Sequence, residues 1–255
     1  MTQVNQEKSG GEALPQGAAA RAKESPLRLP VVERFVSING EGPRSGQLSA
    51  FIRLRGCNLH CSYCDTTWAN EPDCPFTWQT VEELADYVRL TGVKCVTLTG
   101  GEPLLHAASV DLLRALAALP DLRVEVETNG SVDLGPAAAM RAALPESARQ
   151  QVSFTMDVKL PGSGEGDSLH APNLDLLQPW DAVKLVAGSA DDLDAARDLI
   201  AEHGLDQRVQ VFLSPVFGCV DPADMVEYLK AHDLAGVRLQ LQLHKVIWPP
   251  DARGV

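Results

Sequence analysis

"KCVTLTGGEP", residues 94–103, is a short β-branched run that stops abruptly at two glycines, an acid and a proline. Such a run followed directly by a polar or Gly-rich signature recurs along the chain: "ETNG" follows "RVEV" (123–130), "DVKLPGSG" follows "VSFTM" (152–164) and "SPVFG" follows "VQVFL" (209–218). Further runs occur at "VVERFVSI" (31–38), "AFIRLRG" (50–56), "AVKLVAG" (182–188) and "VRLQLQLHK" (237–245). Between them lie helical patterns at "WQTVEELADYVRLTG" (78–92), "HAASVDLLRALAALP" (106–120), "DDLDAARDLIAEHG" (191–204) and "DPADMVEYLKAHD" (221–233). Thr80 with Glu83 fits a capping box, and Gly92 and Gly204 stand where helices should end. Strands alternating with helices imply crossover units and a parallel sheet, and the carboxyl ends of such strands carry the chemistry. A closed eight-stranded barrel usually takes about 250 residues. The expected fold is therefore α/β, with a partial (β/α) barrel as plausible as a closed one.

The first thirty residues, "MTQVNQEKSGGEALPQGAAARAKESPLRLP", are rich in Gly, Ala, Pro, Gln and charge. They read as a disordered tail (1–30) ahead of one domain (31–255). Net charge is −12, which argues against a broad electrostatic grip on nucleic acid or an anionic membrane. With no secretory-type apolar segment and no run of about 18 apolar residues, a cytoplasmic enzyme is expected. Cys74, Cys95 and Cys219 are scattered and read as reduced thiols.

The other three of the six cysteines fall in "RGCNLHCSYCDTTWA" (55–69) as C-x3-C-x2-C: Cys57, Cys61 and Cys64. Thiolates packed this closely repel until a cation neutralises them. Structural zinc would need a fourth ligand such as His60 or Cys74, and no second cysteine pair is present. A redox pair at Cys61 and Cys64 leaves Cys57 unexplained. An iron–sulfur cluster normally takes four thiolates, so three leave one iron free for another ligand.

With Tyr63 before the last cysteine and "GGEP" (100–103) after the next strand, the chain resembles the radical S-adenosylmethionine (SAM) superfamily. "SINGEGPRSGQLSAFIRLRGCNLHCSYCDT" and the terminal "LQLHKVIWPPDARGV" are similar to its 7-carboxy-7-deazaguanine synthase family, over residues from about 31 to the end. That pattern has Gln before GEG, where this chain has Asn39.

The resemblance implies a modified partial (β/α) barrel of the radical SAM type, commonly a homodimer. It implies a 4Fe-4S cluster on Cys57, Cys61 and Cys64, with the open iron chelating SAM. A deoxyadenosyl radical would take hydrogen from 6-carboxytetrahydropterin, whose ring contracts with loss of ammonia. A magnesium ion would bind the substrate carboxylate, with Thr66 as its contact. The electron would come from an external flavodoxin- or ferredoxin-like donor, and no nucleic acid or membrane takes part.

SAM is expected at Tyr63, Asp65, Gly100, Gly101, Glu102, Glu127, Asn129, Asp157, Lys159, Ser214 and Pro215, the last two leading into Phe217. Substrate is expected at Ile38, Asn39, Gly40, Glu41, Arg53, Thr99, His244 and Lys245. On the residues alone, Thr66 fits a turn after Asp65, Arg53 an exposed strand position, "NGEG" a tight turn, and His244 and Lys245 the surface. A glycyl-radical-activating enzyme would share the two main motifs without needing GEG, Arg53 or the terminal pair, and a zinc-binding interaction module would share only the cysteines.

Overall fold

The computed structural model describes residues 27–255. In chain order the strands and helices are β1 (Arg28–Ile38), β2 (Leu48–Leu54), β3 (Thr77–Thr80), α1 (Val81–Thr91), β4 (Cys95–Gly100), α2 (Ala108–Ala117) and β5 (Arg123–Thr128). Then follow α3 (Gly135–Ala142), α4 (Glu146–Arg149), β6 (Val152–Val158), β7 (Ala182–Ala187), α5 (Ala190–His203), β8 (Gln210–Pro215), α6 (Pro222–Ala231), β9 (Val237–Leu239) and α7 (Leu243–Ile247). Among the described residues, nine strands make one sheet in the order β3-β1-β2-β4-β5-β6-β7-β8-β9. From β2 through β9 every pairing is parallel, while β1 pairs antiparallel with both β2 and β3. The α/β expectation holds, as a partial barrel entered by an antiparallel hairpin.

Period-two alternation explains what the sheet does. In β4, β5 and β6 the residues Val96, Leu98, Val124, Val126, Phe154 and Met156 are wholly buried and join one core with Leu84, Leu112, Leu116 and Ile200 of the helices. The intervening positions are polar, and register lines them up: Thr97 beside Glu125, Glu125 beside Ser153, Glu127 beside Thr155, Asp157 beside Lys184. The barrel interior is thus a stack of hydroxyl and charged side chains beneath the strand ends.

Local signals behave as read. Thr80 Oγ1 accepts from the Glu83 N–H at 3.1 Å, and Glu83 accepts from the Thr80 N–H at 2.8 Å. Gly92 (φ +71°) and Gly204 (φ +57°) end their helices in the left-handed region.

Three differences from expectation have physical causes. Arg28–Pro30 belong to β1, paired with β3, and not to the tail; Leu29 there is fully buried. The rest of the expected tail, residues 1–26, lies outside the described residues. β3 is four residues on an exposed edge, too short for alternation to stand out inside a helical window. The last run stops being a strand after Leu239: the Gln240 N–H still donates to the Leu213 carbonyl of β8 at 3.0 Å, but its side chain turns to the connection between β1 and β2. That side-chain amide donates to the Gly42 carbonyl (3.0 Å) and accepts from the Gly42 N–H (2.8 Å). With Leu243 N–H on the Gly40 carbonyl at 3.1 Å, these bonds draw the β9 edge to the turn after β1, where no strand pairing among the described residues closes the barrel.

Candidate functional site

The loop after β2 brings Cys57, Cys61 and Cys64 to the wall of one chamber above the strand ends, all three half-buried free thiols. Burial pushes the Cys57 thiol up; hydrogen bonds from the Leu59 N–H and Asn129 oppose that, and Glu102 and Cys64 add to it. Cys61 is likewise raised by burial, against Lys159. Three thiolates here need a cationic centre to be stable. A lone zinc draws its sulfurs to about 2.3 Å, whereas a cluster distributes thiolates over several irons. The donor set fits the cluster.

The GGEP turn supplies another part of the wall, packed against Gly56 beside Cys57. Gly100 and Gly101 line the chamber, and a Cβ at either would collide with the backbone at Leu54 or Gly56. Glycine is therefore required by the close approach of two strand ends, and bare backbone faces the chamber. Glu102 does not line it. Its carboxylate is fully buried and accepts from Leu104 N–H (2.9 Å), Asn129 N–H (2.6 Å) and the Thr128 hydroxyl (3.0 Å), tying β4 to β5. Ser214 and Pro215 are buried in β8, and Val216 and Phe217, which follow them, line the chamber.

Tyr63, Asp65, Thr66, Glu127, Asn129, Asp157 and Lys159 all line the thiol chamber, as does Thr99, whose hydroxyl donates to Glu127 at 2.8 Å. A second chamber adjoins it, lined by Ile38, Asn39, Gly40, Arg53 and His244. Glu41, Cys64, Thr66, Glu127 and Lys245 line both. Arg53 Nε is 2.8 Å from Glu33, and Lys245 is 3.3 Å from Asp65. Burial pushes the Asp65 carboxyl up, but Lys245, Lys184 and His244 outweigh it and hold the group below its ordinary value. Burial lowers His244.

Asn39, standing where the family pattern has Gln, commits its amide inward, 2.6 Å to Glu125 and 3.3 Å to Thr97. Glu125 is fully buried, and burial together with Glu127 raises its carboxyl to about 7 despite Thr155, Arg44 and Asn39. Between its ordinary 4.5 and about 7 the folded chain holds a proton on Glu125 that the unfolded chain has released. Stability therefore falls as pH rises through that window. Glu125→Gln should flatten that slope in urea unfolding measured below and above the window; an unchanged slope would reject the assignment.

Sequence reading missed Lys184, which lies mid-strand in β7. Burial alone would lower its pKa, but Asp157, Glu41 and Glu127 hold it well above the ordinary value. Asp157 is lowered in turn, since Lys159 and Lys184 overcome its burial. Also missed were Pro250–Val255, which line the second chamber, with Arg253 4.2 Å over the Trp68 ring. Nothing in their composition marks them as a wall.

Residues 51–156 match the Radical SAM superfamily. A 7-carboxy-7-deazaguanine synthase of Clostridium acetobutylicum is 49% identical over 229 residues, 90% of this chain and 100% of that protein. One from Chlorobaculum tepidum is 38% identical over 91% of this chain and 99% of its own. The crystal structure of QueE from Escherichia coli superposes with a TM-score of 0.64 at 22% identity, covering 86% of this chain and 95% of that one.

Proposed function

The chain belongs to the 7-carboxy-7-deazaguanine synthase family of radical SAM enzymes, and on that premise we propose that it converts 6-carboxy-5,6,7,8-tetrahydropterin to 7-carboxy-7-deazaguanine with release of ammonia. The observation that carries this reading is the wall shared by the two chambers: a thiol-lined space opens onto one lined by Arg53, Asn39 and His244. A cofactor on one side and a planar, carboxylated substrate on the other would meet across Glu41, Thr66 and Glu127.

Cys57, Cys61 and Cys64 would hold the cluster, and Gly100, Gly101, Asn129, Asp157 and Lys159 would hold SAM. When bound, the two supply one-electron chemistry that removes a hydrogen atom from the pterin. The remaining work falls to the chain's own residues. Glu41 Oε1 is buried with no hydrogen-bond partner, which suits a carboxylate awaiting the N–H donors of a pterin edge. Arg53 uses Nε on Glu33 and keeps its other nitrogens for a substrate carboxylate. Thr66 offers a hydroxyl for a magnesium ion, a hard cation that takes oxygen and few protein ligands. Thr99 and Glu127, hydrogen-bonded to each other, hold a proton beside the reacting ring. A homodimer in the cytoplasm, reduced by a flavodoxin- or ferredoxin-like donor, completes the reading.

The test is anaerobic turnover of cluster-reconstituted protein with the tetrahydropterin, SAM, magnesium and reductant, with product identified by mass. Deazaguanine product supports the reading; SAM cleavage without it would favour a glycyl-radical-activating enzyme. Thr66→Ala should raise the magnesium concentration needed for half-maximal turnover about tenfold, equivalent to roughly 1.4 kcal/mol, while iron content stays unchanged. The same magnesium response in both proteins would reject the Thr66 role.

A further inference from the structure

Glu41 and Asp157 stand in different parts of the site. Glu41 sits in the turn after β1 and faces both chambers, whereas Asp157, near the end of β6, faces only the thiol chamber. One ammonium joins them: Lys184 Nζ lies 2.9 Å from Glu41 Oε2 and 3.1 Å from Asp157 Oδ2. The other oxygen of Asp157 is 3.1 Å from Lys159 Nζ, which lies 5.9 Å from the Tyr63 ring in the cluster loop. At the opposite end Glu41 Oε1 is buried and unpartnered. Charges of alternating sign thus run from a free acceptor on the substrate side to the loop that carries the thiols.

An exposed chain of this kind would re-solvate link by link and couple nothing. Here the side chains of Glu41, Lys184 and Asp157 are only 13%, 11% and 20% exposed, so none can readily exchange its partner for water. A donor delivered to Glu41 Oε1 fixes the rotation of that carboxylate, which fixes Nζ, which fixes Asp157. A ligand beside Asp157 and Lys159 fixes the same chain from its other end. Whichever ligand binds first meets the ordering cost, and the second finds the chain already set.

We propose that Lys184 is a positioning residue that couples the two halves of the site, so that occupancy at Glu41 and occupancy beside Asp157 strengthen one another. This rests on the functional reading above, with the tetrahydropterin at Glu41 and SAM at Asp157.

The experiment uses anaerobically reconstituted holoenzyme without reductant, titrated with the tetrahydropterin in the presence and absence of saturating SAM. Native protein should bind the pterin at least about fivefold more tightly with SAM present, the lower end of ordinary allosteric coupling. Lys184→Met, which keeps the stem and removes the charge, should bring that ratio close to one. Lys184→Arg should retain part of it, and Lys184→Gln replaces the Met variant if that one fails to take up iron. A ratio in the Met or Gln variant equal to the native ratio overturns the proposal, as does a native ratio of one. Native protein that yields no deazaguanine on turnover overturns the functional reading instead, by a separate measurement.

Discussion

Cys64→Ala is expected to abolish reductive cleavage of SAM, with 5′-deoxyadenosine falling to the level of a no-enzyme control. Cys64 lines both chambers, and its sulfur sits 3.6 Å from the Thr66 hydroxyl. It is therefore the thiol nearest the proposed meeting point of cofactor and substrate. With Cys57 and Cys61 it makes the whole set of cysteines around the chamber, so no spare thiol can take its place. Two remaining thiolates do not meet the usual four-thiolate requirement even with SAM filling one position. Chromatography of anaerobic reaction mixtures gives the answer directly, and retained cleavage would show that the ligand set is wrong.

The second large effect concerns stability and lies away from the chemistry. Asp181 is buried between α3 and the start of β7, with both oxygens on Arg141 Nη1 at 2.7 and 2.8 Å. It also accepts from the backbone N–H groups of Phe154 (2.8 Å) and Gln178 (2.7 Å). Arg141 lies 4.3 Å over the Phe154 ring. Burial outweighs the guanidinium and leaves the Asp181 carboxyl above its ordinary value, so the pair is held against a large desolvation penalty. Removing one member leaves the other charge buried alone. Asp181→Asn should cost about 3–5 kcal/mol, a large share of the roughly 5–15 kcal/mol that holds an ordinary domain together. Adding Arg141→Met to Asp181→Asn, which removes the unpaired charge and keeps an acceptor for those N–H groups, should recover part of that loss. Urea unfolding of both variants decides it, and a single-variant loss below about 1 kcal/mol would place the pair with exposed ion pairs.

What the sequence disclosed and what it hid follow one physical rule. Cys57, Cys61, Cys64 and the GGEP turn are legible because their spacing is local, and a strand followed by a glycine turn announces its own carboxyl end. Lys184, Glu125 and Asp181 are not local. Each is an ordinary charged residue within or beside an apolar run, and its role depends on which strand register sets beside it. Lys184 gains its meaning from pairing Asp157 with β7, and Glu125 from pairing with Thr97 and Ser153. Gln240 shows the same limit, since its alternation with Leu239 and Leu241 reads as strand until its amide meets Gly42. Glu102 adds a role its motif does not announce: its buried carboxylate ties β4 to β5 through the Asn129 N–H.

Three protein thiolates leave one iron of the cluster for SAM. Electron paramagnetic resonance of the reduced cluster, recorded with and without SAM, tests it most directly. The signal should change shape and position when SAM is added. A spectrum indifferent to SAM, from protein shown to contain the full cluster, would contradict it.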